Sequence, residues 1–273
     1  MAHLFQVGAG SGGMVVLDLL CRDPRITTIT LVEPDIYKPH NAARHYFPAS
    51  AAGQLKVDLV TPWIRDRRPD IHLQILPTDL LDPQHQATYQ DAIAACDLGI
   101  CAVDVEPAKY RFDALFRQAG KPWTMGEVLS GGIGGWVHRF SPGQACYGCV
   151  ASHLQRNVRE DASPPPDYSN PDAVIAETTI PASVASIHSI ASLHANVSSQ
   201  LLPDGGDAGD DWTSILLTLQ SVPNVFREAY RTYRFSIARR ADCLICGESQ
   251  TNTLSGDALD SALDAALNRL GAD

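Results

Sequence analysis

Between residues 8 and 13 the chain reads Gly-Ala-Gly-Ser-Gly-Gly, directly behind an apolar run at 4–7 and ahead of Met14, Val15, Leu17, Leu19 and Leu20 at helical spacing. Strand, glycine turn and helix in immediate succession form the context of a nucleotide-binding fingerprint. Gly8, Gly10 and Gly13 permit a tight turn and a close approach of backbone to phosphate. The helix start behind them offers unpaired N–H groups and the positive end of a dipole. A second strand over 26–32, rich in β-branched residues, ends at Glu33. In dinucleotide folds an acidic side chain about 20 residues after the glycines binds the ribose hydroxyls.

Beyond a loop at 34–48, the pattern predicts a helix over 51–67, a strand over 71–76, a helix over 84–95 and a strand over 98–103 that ends at Asp104. A helix over 107–119, a strand over 123–128 and a glycine-broken strand over 131–140 follow. This alternation predicts an α/β fold with a doubly wound, mostly parallel sheet. After residue 151 the character changes. The polar, proline-containing stretch 156–172 reads as a long loop, 180–202 as an amphipathic helix and 203–211 as an acidic, glycine-rich turn. Two further strands, near 213–219 and 230–238, are expected to be antiparallel, and 256–270 reads as a small final helix. The reading is of one domain over 1–273, with a nucleotide-binding half at 1–140, a zinc-stapled half at 141–250 and a C-terminal helix within 251–273.

Four of the seven cysteines form two knuckle-spaced pairs, Cys146-Tyr-Gly-Cys149 and Cys243-Leu-Ile-Cys246. Each pair presents two thiolates from one tight turn, and together they supply a tetrahedral sulfur site for zinc. Four sulfur ligands leave no open position on the metal, so the expected role is a structural staple. Cys21, Cys96 and Cys101 sit in apolar surroundings and read as buried small hydrophobes. The balance of 21 Lys+Arg against 31 Asp+Glu, net −10, argues against nucleic acid or an anionic membrane as partner. The cluster Arg65, Arg67 and Arg68 reads as a solvated helix end. No apolar stretch is long enough to span a bilayer and no secretory signal opens the sequence, so the expected location is cytoplasmic.

A glycine turn alone would suit a nicotinamide oxidoreductase, which has no use for Lys56 or Asp104. Here Glu33-Pro-Asp35 is followed by Asn41 and Arg44, by Lys56 in Gly53-Gln-Leu-Lys, by Asp104 closing Ile100-Cys-Ala-Val-Asp, and by both cysteine pairs. In this order the motifs resemble the ThiF/MoeB/HesA family, adenylating enzymes related to ubiquitin-activating enzymes, from residue 7 to residue 246. Gly120-Lys-Pro-Trp, Pro142-Gly-Gln-Ala-Cys-Tyr-Gly-Cys and Tyr233-Arg-Phe-Ser-Ile share the resemblance.

The resemblance implies a Rossmann-like ATP site, Mg²⁺ and Zn²⁺ as cofactors, and adenylation of the C-terminal glycine carboxylate of a ubiquitin-like or sulfur-carrier protein. It implies that Gly8, Gly10 and Gly13 pack the nucleotide, that Glu33 holds the ribose, and that Asn41, Arg44 and Lys56 contact phosphates. Asp104 is then the magnesium ligand, and Asp35 orients Arg44 or the metal site. The sequence departs from the pattern in having His45 where the family commonly has Gln, and Glu33 where it commonly has Asp. Homodimeric members carry an N-terminal helix whose arginine reaches the partner's ATP. Only seven residues precede Gly8, so another protein, such as the related subunit of a heterodimer, is expected to supply that arginine, with Arg22 or Arg25 of this chain, or a slow enzyme, as alternatives; a homodimer or a heterodimer is the expected assembly. Residues 151–181 contain no cysteine, and Glu177-Thr-Thr-Ile-Pro occupies the neighbourhood of the family's thioester thiol, so no stable enzyme thioester is expected. The other readings are a non-catalytic scaffold subunit of a heterodimeric ubiquitin-like activating complex, and adenylation of a small molecule, peptide or tRNA.

Overall fold

The computed structural model describes residues 1–154, 182–205 and 211–247. The loop expected at 156–172, the segment Glu177-Thr-Thr-Ile-Pro, part of the acidic turn and the helix expected at 256–270 lie outside the described residues. One eight-stranded mixed sheet organises the chain, in the order β3-β2-β1-β4-β5-β6-β7-β8. Its strands are β1 (Ala2–Val7), β2 (Ile26–Val32), β3 (His72–Leu76), β4 (Leu98–Cys101), β5 (Trp123–Val128), β6 (Gly134–Phe140), β7 (Ser214–Thr218) and β8 (Thr232–Phe235). The first five pair in parallel and the last three join antiparallel, as expected from the sequence.

Helices cover both faces. On one side lie α1 (Ser11–Cys21), α2 (Lys56–Arg67) and α6 (Val184–Leu201), packed with Leu4, Leu17, Ile29 and Val60 into one apolar cluster. On the other side α3 (Gln86–Ala95), α4 (Glu106–Ala119) and α5 (Tyr147–His153) close a second cluster around Phe5, Phe112, Phe116 and Trp123. β4 is buried along its whole length and carries no polar side chain, while β2 is legible from its β-branched residues.

Two expectations are corrected. The helix expected over 51–67 begins at Lys56. Residues 49–51 form a single 3-10 turn, and Gly53, at φ +90, breaks the path while Ile36 bridges Leu55. The glycine-broken strand begins at Gly134, after Gly131 and Gly132 turn the chain at positive φ. Gly135 of this strand and Gly126 of β5 have a packing reason. A Cβ on Gly135 would meet Ile190 Cγ1 at 2.6 Å, and one on Gly126 would meet His194 Nδ1 at 2.7 Å, so both let α6 lie close on the sheet. Inside that contact Thr124 Oγ1 bonds His194 Nε2 at 2.9 Å and Ser198 Oγ at 2.7 Å. Burial lowers the pKa of His194 to about 3, so the ring is neutral in the fold.

Candidate active site and metal centre

The parallel order reverses direction between β1 and β4, and in open α/β sheets ligands bind in the crevice at the carboxyl ends of such strands. The glycine turn sits at that crevice. Gly8 has φ +94, and a Cβ there would lie 2.4 Å from the carbonyl oxygen of Ala102. A Cβ on Gly13 would lie 2.4 Å from the Gly8 carbonyl oxygen. Gly10 differs: nothing lies within 4 Å of its would-be Cβ. Two glycines are therefore required by close packing of β1, α1 and β4, while the third faces open space. Gly10 is also the N-cap of α1 and makes no side-chain cap, so the helix start presents its free amides beside that space. The cradle has the shape and polarity a phosphate group needs.

The acidic strand end is built into this turn. Glu33 Oε2 accepts from the Ala9 amide at 2.6 Å and Oε1 from the Asp35 amide at 2.9 Å. Glu33 is buried, which raises its pKa, and Lys56 Nζ stands 3.9 Å from Oε1. Lys56, at the start of α2, is buried as well and bonds Asp35 Oδ2 at 2.5 Å. The structure thus brings Glu33, Asp35 and Lys56 together around the glycine turn. Asn41 accepts from the Lys38 amide at 2.8 Å and shapes the 3-10 turn Pro39–Ala43. Arg44 follows directly, half-buried, its own amide bonded to the Asn41 carbonyl at 2.9 Å.

His45 is integral to the turn. Its Nδ1 accepts from the Tyr46 amide at 3.0 Å, which assigns the ring proton to Nε2, and Nε2 donates to the Ala9 carbonyl at 2.9 Å. Burial, followed by the positive charges of Lys56 and Arg44, brings its pKa down to about 4. The imidazole is therefore neutral at pH 7 and supplies a donor to the glycine turn, a task a glutamine amide can also perform.

Neutral His45 and His194 predict an acid-sensitive fold. Their folded pKa values lie below the unfolded value of 6.5, so the unfolded chain takes up protons first as pH falls. The stability they contribute is complete above about pH 6.5 and declines toward pH 4, by up to about 1.4 kcal/mol per pH unit for the fully buried His194. Urea unfolding from pH 7 to pH 4 measures this; an unchanged midpoint would refute the neutral assignment.

Asp104 is exposed, three residues beyond β4, on the segment whose Ala102 packs against Gly8 and Gly13. It does not cap a helix: Val105 is the N-cap of α4. It stands at the carboxyl end of β4, next to the residues packed on the glycine turn.

Gln6 was not singled out from the sequence. Its side-chain amide donates to the Gly8 carbonyl at 2.9 Å and the Gly13 carbonyl at 2.8 Å from a fully buried position. The available signal was a lone polar residue inside the apolar run at 4–7. Arg22 and Arg25 stand at the far end of α1, about 16 Å from its start by helix rise. Arg22 is held by Asp18 at 2.9 Å, and Arg25 by Asp23 at 2.6 Å and Ser199 Oγ at 2.6 Å. Neither belongs to the crevice at the glycine turn.

The four paired cysteines converge, with all Sγ atoms within 4.8 Å of one another. Cys146 lies 3.8 Å from Cys149 and 3.6 Å from Cys243, and Cys149 lies 3.5 Å from Cys246. A tetrahedron with Zn–S bonds of about 2.3 Å has edges of about 3.8 Å, so the donor set fits zinc in kind, number and spacing. Gly148 makes room for it, since a Cβ there would meet Ile245 Cγ1 at 2.7 Å and Cys243 Sγ at 3.4 Å. The remaining thiols are buried, and burial pushes Cys21 to about 11 and Cys96 and Cys101 to about 12. Among the described residues, no helix is long and apolar enough to cross a membrane.

A protein-family model described as the ThiF family matches residues 1–222. No curated protein matches the chain in sequence. Among solved structures, E. coli MccB with MccA-N7isoAsn superposes with a TM-score of 0.67 at 15% identity, covering 90% of this chain and 67% of that one. E. coli MccB with ATP gives a TM-score of 0.64 at 16% identity, with 90% and 67% covered. The microcin C7 biosynthetic enzyme MccB in complex with N-formylated MccA gives 0.65 at 16% identity, again with 90% and 67% covered. These likenesses establish the shared fold.

Proposed function

The chain belongs to the ThiF family, and from that premise we propose that it binds Mg·ATP at the glycine turn and adenylates the C-terminal carboxylate of a peptide or protein. The observation that carries this reading is the open space at Gly10 at the β1/β4 switch point, beside the Glu33–Lys56–Asp35 cluster that is hydrogen-bonded to the same turn. Likeness to MccB structures that contain ATP and MccA supports it.

In the reaction a carboxylate oxygen attacks the α-phosphorus of ATP, the bond to the β-phosphate oxygen breaks, and pyrophosphate leaves. Carboxylate and triphosphate bring together about five negative charges, so the protein's contribution is neutralisation and positioning. The amides behind Gly10 hold phosphate oxygens. Lys56 exchanges its bond to Asp35 for the nucleotide, and Arg44, placed by Asn41, adds a second cation. Asp104 is the residue that would hold magnesium, which when bound would offset the charge of the phosphates. Glu33, through the Ala9 and Asp35 amides, keeps the turn and the ribose side in register. A further cation is assigned to a related subunit, because Arg22 and Arg25 are held by Asp18 and Asp23.

The favoured substrate is a ubiquitin-like or sulfur-carrier protein ending in glycine. A free peptide is the second reading, supported by the MccA complexes of MccB. The proposal holds that the acyl-adenylate passes on without a stable enzyme thioester, consistent with Cys21, Cys96 and Cys101 being buried and protonated. ATP–pyrophosphate exchange decides among these: a β-grasp protein ending in Gly-Gly should stimulate it, and its truncation by one glycine should not. Exchange with short peptides alone favours the second reading. Absence of ATP binding under any condition rejects the proposal and favours a scaffold subunit.

Gly8 and Gly10 should separate in mutation. Gly8→Ala combines an unfavourable φ of +94 with a backbone clash and should cost about 2–4 kcal/mol of stability. Gly10→Ala should leave thermal unfolding almost unchanged while weakening ATP binding at least about tenfold, since the methyl enters the phosphate space. Calorimetric titration of folded Gly10→Ala with ATP is the check, and wild-type affinity would contradict the cradle.

A further inference from the structure

We propose that Tyr147 is a positioning residue, coupling the cysteine cluster to the loop that carries Asp104; the inference rests on the reading of Asp104 as the magnesium ligand. Tyr147 lies between Cys146 and Cys149 in the first knuckle and is fully buried. Its hydroxyl donates to the Glu106 carboxylate, with oxygens at 2.7 and 2.9 Å. Its backbone amide donates to Asp113 Oδ1 at 3.1 Å, and its ring stands edge-on to Tyr110 at 4.9 Å. Glu106, Tyr110 and Asp113 all belong to α4, so one residue of the knuckle grips that helix at three levels.

The first turn of α4 needs such a grip. Its N-cap is Val105, which has no side-chain oxygen to satisfy the helix start. Glu106 is the first residue of the helix, two past Asp104, and receives Lys109 Nζ at 2.8 Å besides the Tyr147 hydroxyl. Lys109 is buried and continues to Glu127 of β5 at 2.5 Å. The path therefore runs from the sulfur cluster through Tyr147 to Glu106, and from there both into the sheet and into the segment bearing Asp104. A hydrogen bond to a charged carboxylate is among the stronger single contacts and is directional, so it fixes where Glu106 stands and with it the neighbouring loop. A purely structural staple would hold the two knuckles together without touching α4; here the staple's own spacer residue orients the helix behind the expected metal ligand.

The experiment is a Mg²⁺ titration of ATP–pyrophosphate exchange at fixed ATP, using the full chain with a β-grasp protein ending in Gly-Gly, read beside calorimetric titration of Mg²⁺ into the chain holding a non-hydrolysable ATP analogue, where the same shift is expected. Tyr147→Phe is expected to keep a full complement of zinc and the exchange rate at saturating Mg²⁺. The Mg²⁺ concentration for half-maximal rate should rise about tenfold. Asp104→Asn tests the underlying reading: it should raise the Mg²⁺ requirement further and lower the maximal rate. A shift in Asp104→Asn with none in Tyr147→Phe overturns the coupling and leaves the magnesium role intact. No shift in Asp104→Asn overturns that role itself. Should Tyr147→Phe lose zinc, Glu106→Gln decides, because it leaves the knuckle untouched: a raised Mg²⁺ requirement supports the coupling, and an unchanged one refutes it.

Discussion

Lys56→Gln should lower ATP–pyrophosphate exchange by about 10²–10³-fold, the range for removing one preorganised donor from a charge-developing site. The same change should also weaken the fold. Lys56 is buried between Glu33 at 3.9 Å and Asp35 at 2.5 Å, so its removal leaves two carboxylates without their cation. Breaking a fully buried pair costs about 3–5 kcal/mol, and because Asp35 is a third exposed the loss here should fall below that range. The two effects separate in a cycle with Asp35→Asn. Neutralising Asp35 in the Lys56→Gln chain should restore part of the stability, because the stranded charge is gone, and none of the exchange, because the phosphates still lack their cation. Thermal unfolding and exchange measured on the four proteins give the answer. Exchange restored by Asp35→Asn would mean that Lys56 only neutralises Asp35, and the nucleotide role would fall.

Loss of the cysteine cluster should be the largest change in stability available from a single site. Cys149 and Cys246 are 97 residues apart in sequence and 3.5 Å apart in space. In the chain-entropy model a cross-link across about 100 residues contributes close to 5 kcal/mol. In a domain of this size each kcal/mol moves the unfolding midpoint by about 2–4 °C. Cys149→Ser, or prolonged chelation, should therefore lower Tm by about 10–20 °C and release the segment after β8 first, because Cys246 and Ile237 pack in the same cluster as Tyr147 and Trp123. Zinc content by elemental analysis, read beside the melting curve, tests both parts. A chain that contains no zinc as purified and melts as Cys149→Ser does would remove the metal from this account.

Legibility from the sequence followed the range of the interactions. The strand–turn–helix unit around Gly8–Gly13 is specified by neighbours within a few residues, and so is each cysteine knuckle. The start of α2 differs from the sequence expectation for a local reason with a distant cause. Residues 51–55 contain good helix formers, but the Gly53 amide bonds the Tyr37 carbonyl at 2.8 Å and pulls the segment out of the helix. Gln6, His45 and Tyr147 show the same limit. As isolated letters they are a polar residue in a strand, a substitution in a motif and a spacer between cysteines. Their work is done on Gly13, Ala9 and Glu106, which only folding brings near.

The class of fold, the glycine turn with its acidic strand end and the set of four sulfurs are written in short stretches of chain, because periodicity, turn chemistry and donor type are local properties. The tertiary structure decided which glycine is left open for a ligand and that Glu33 is tied to the turn. It also decided that Lys56 is paired while it waits, and that the metal knuckle reaches α4. Each of these depends on burial, which sets both the cost of an unpaired charge and the distance at which two groups meet. Burial is a property of the assembled sheet and its helices.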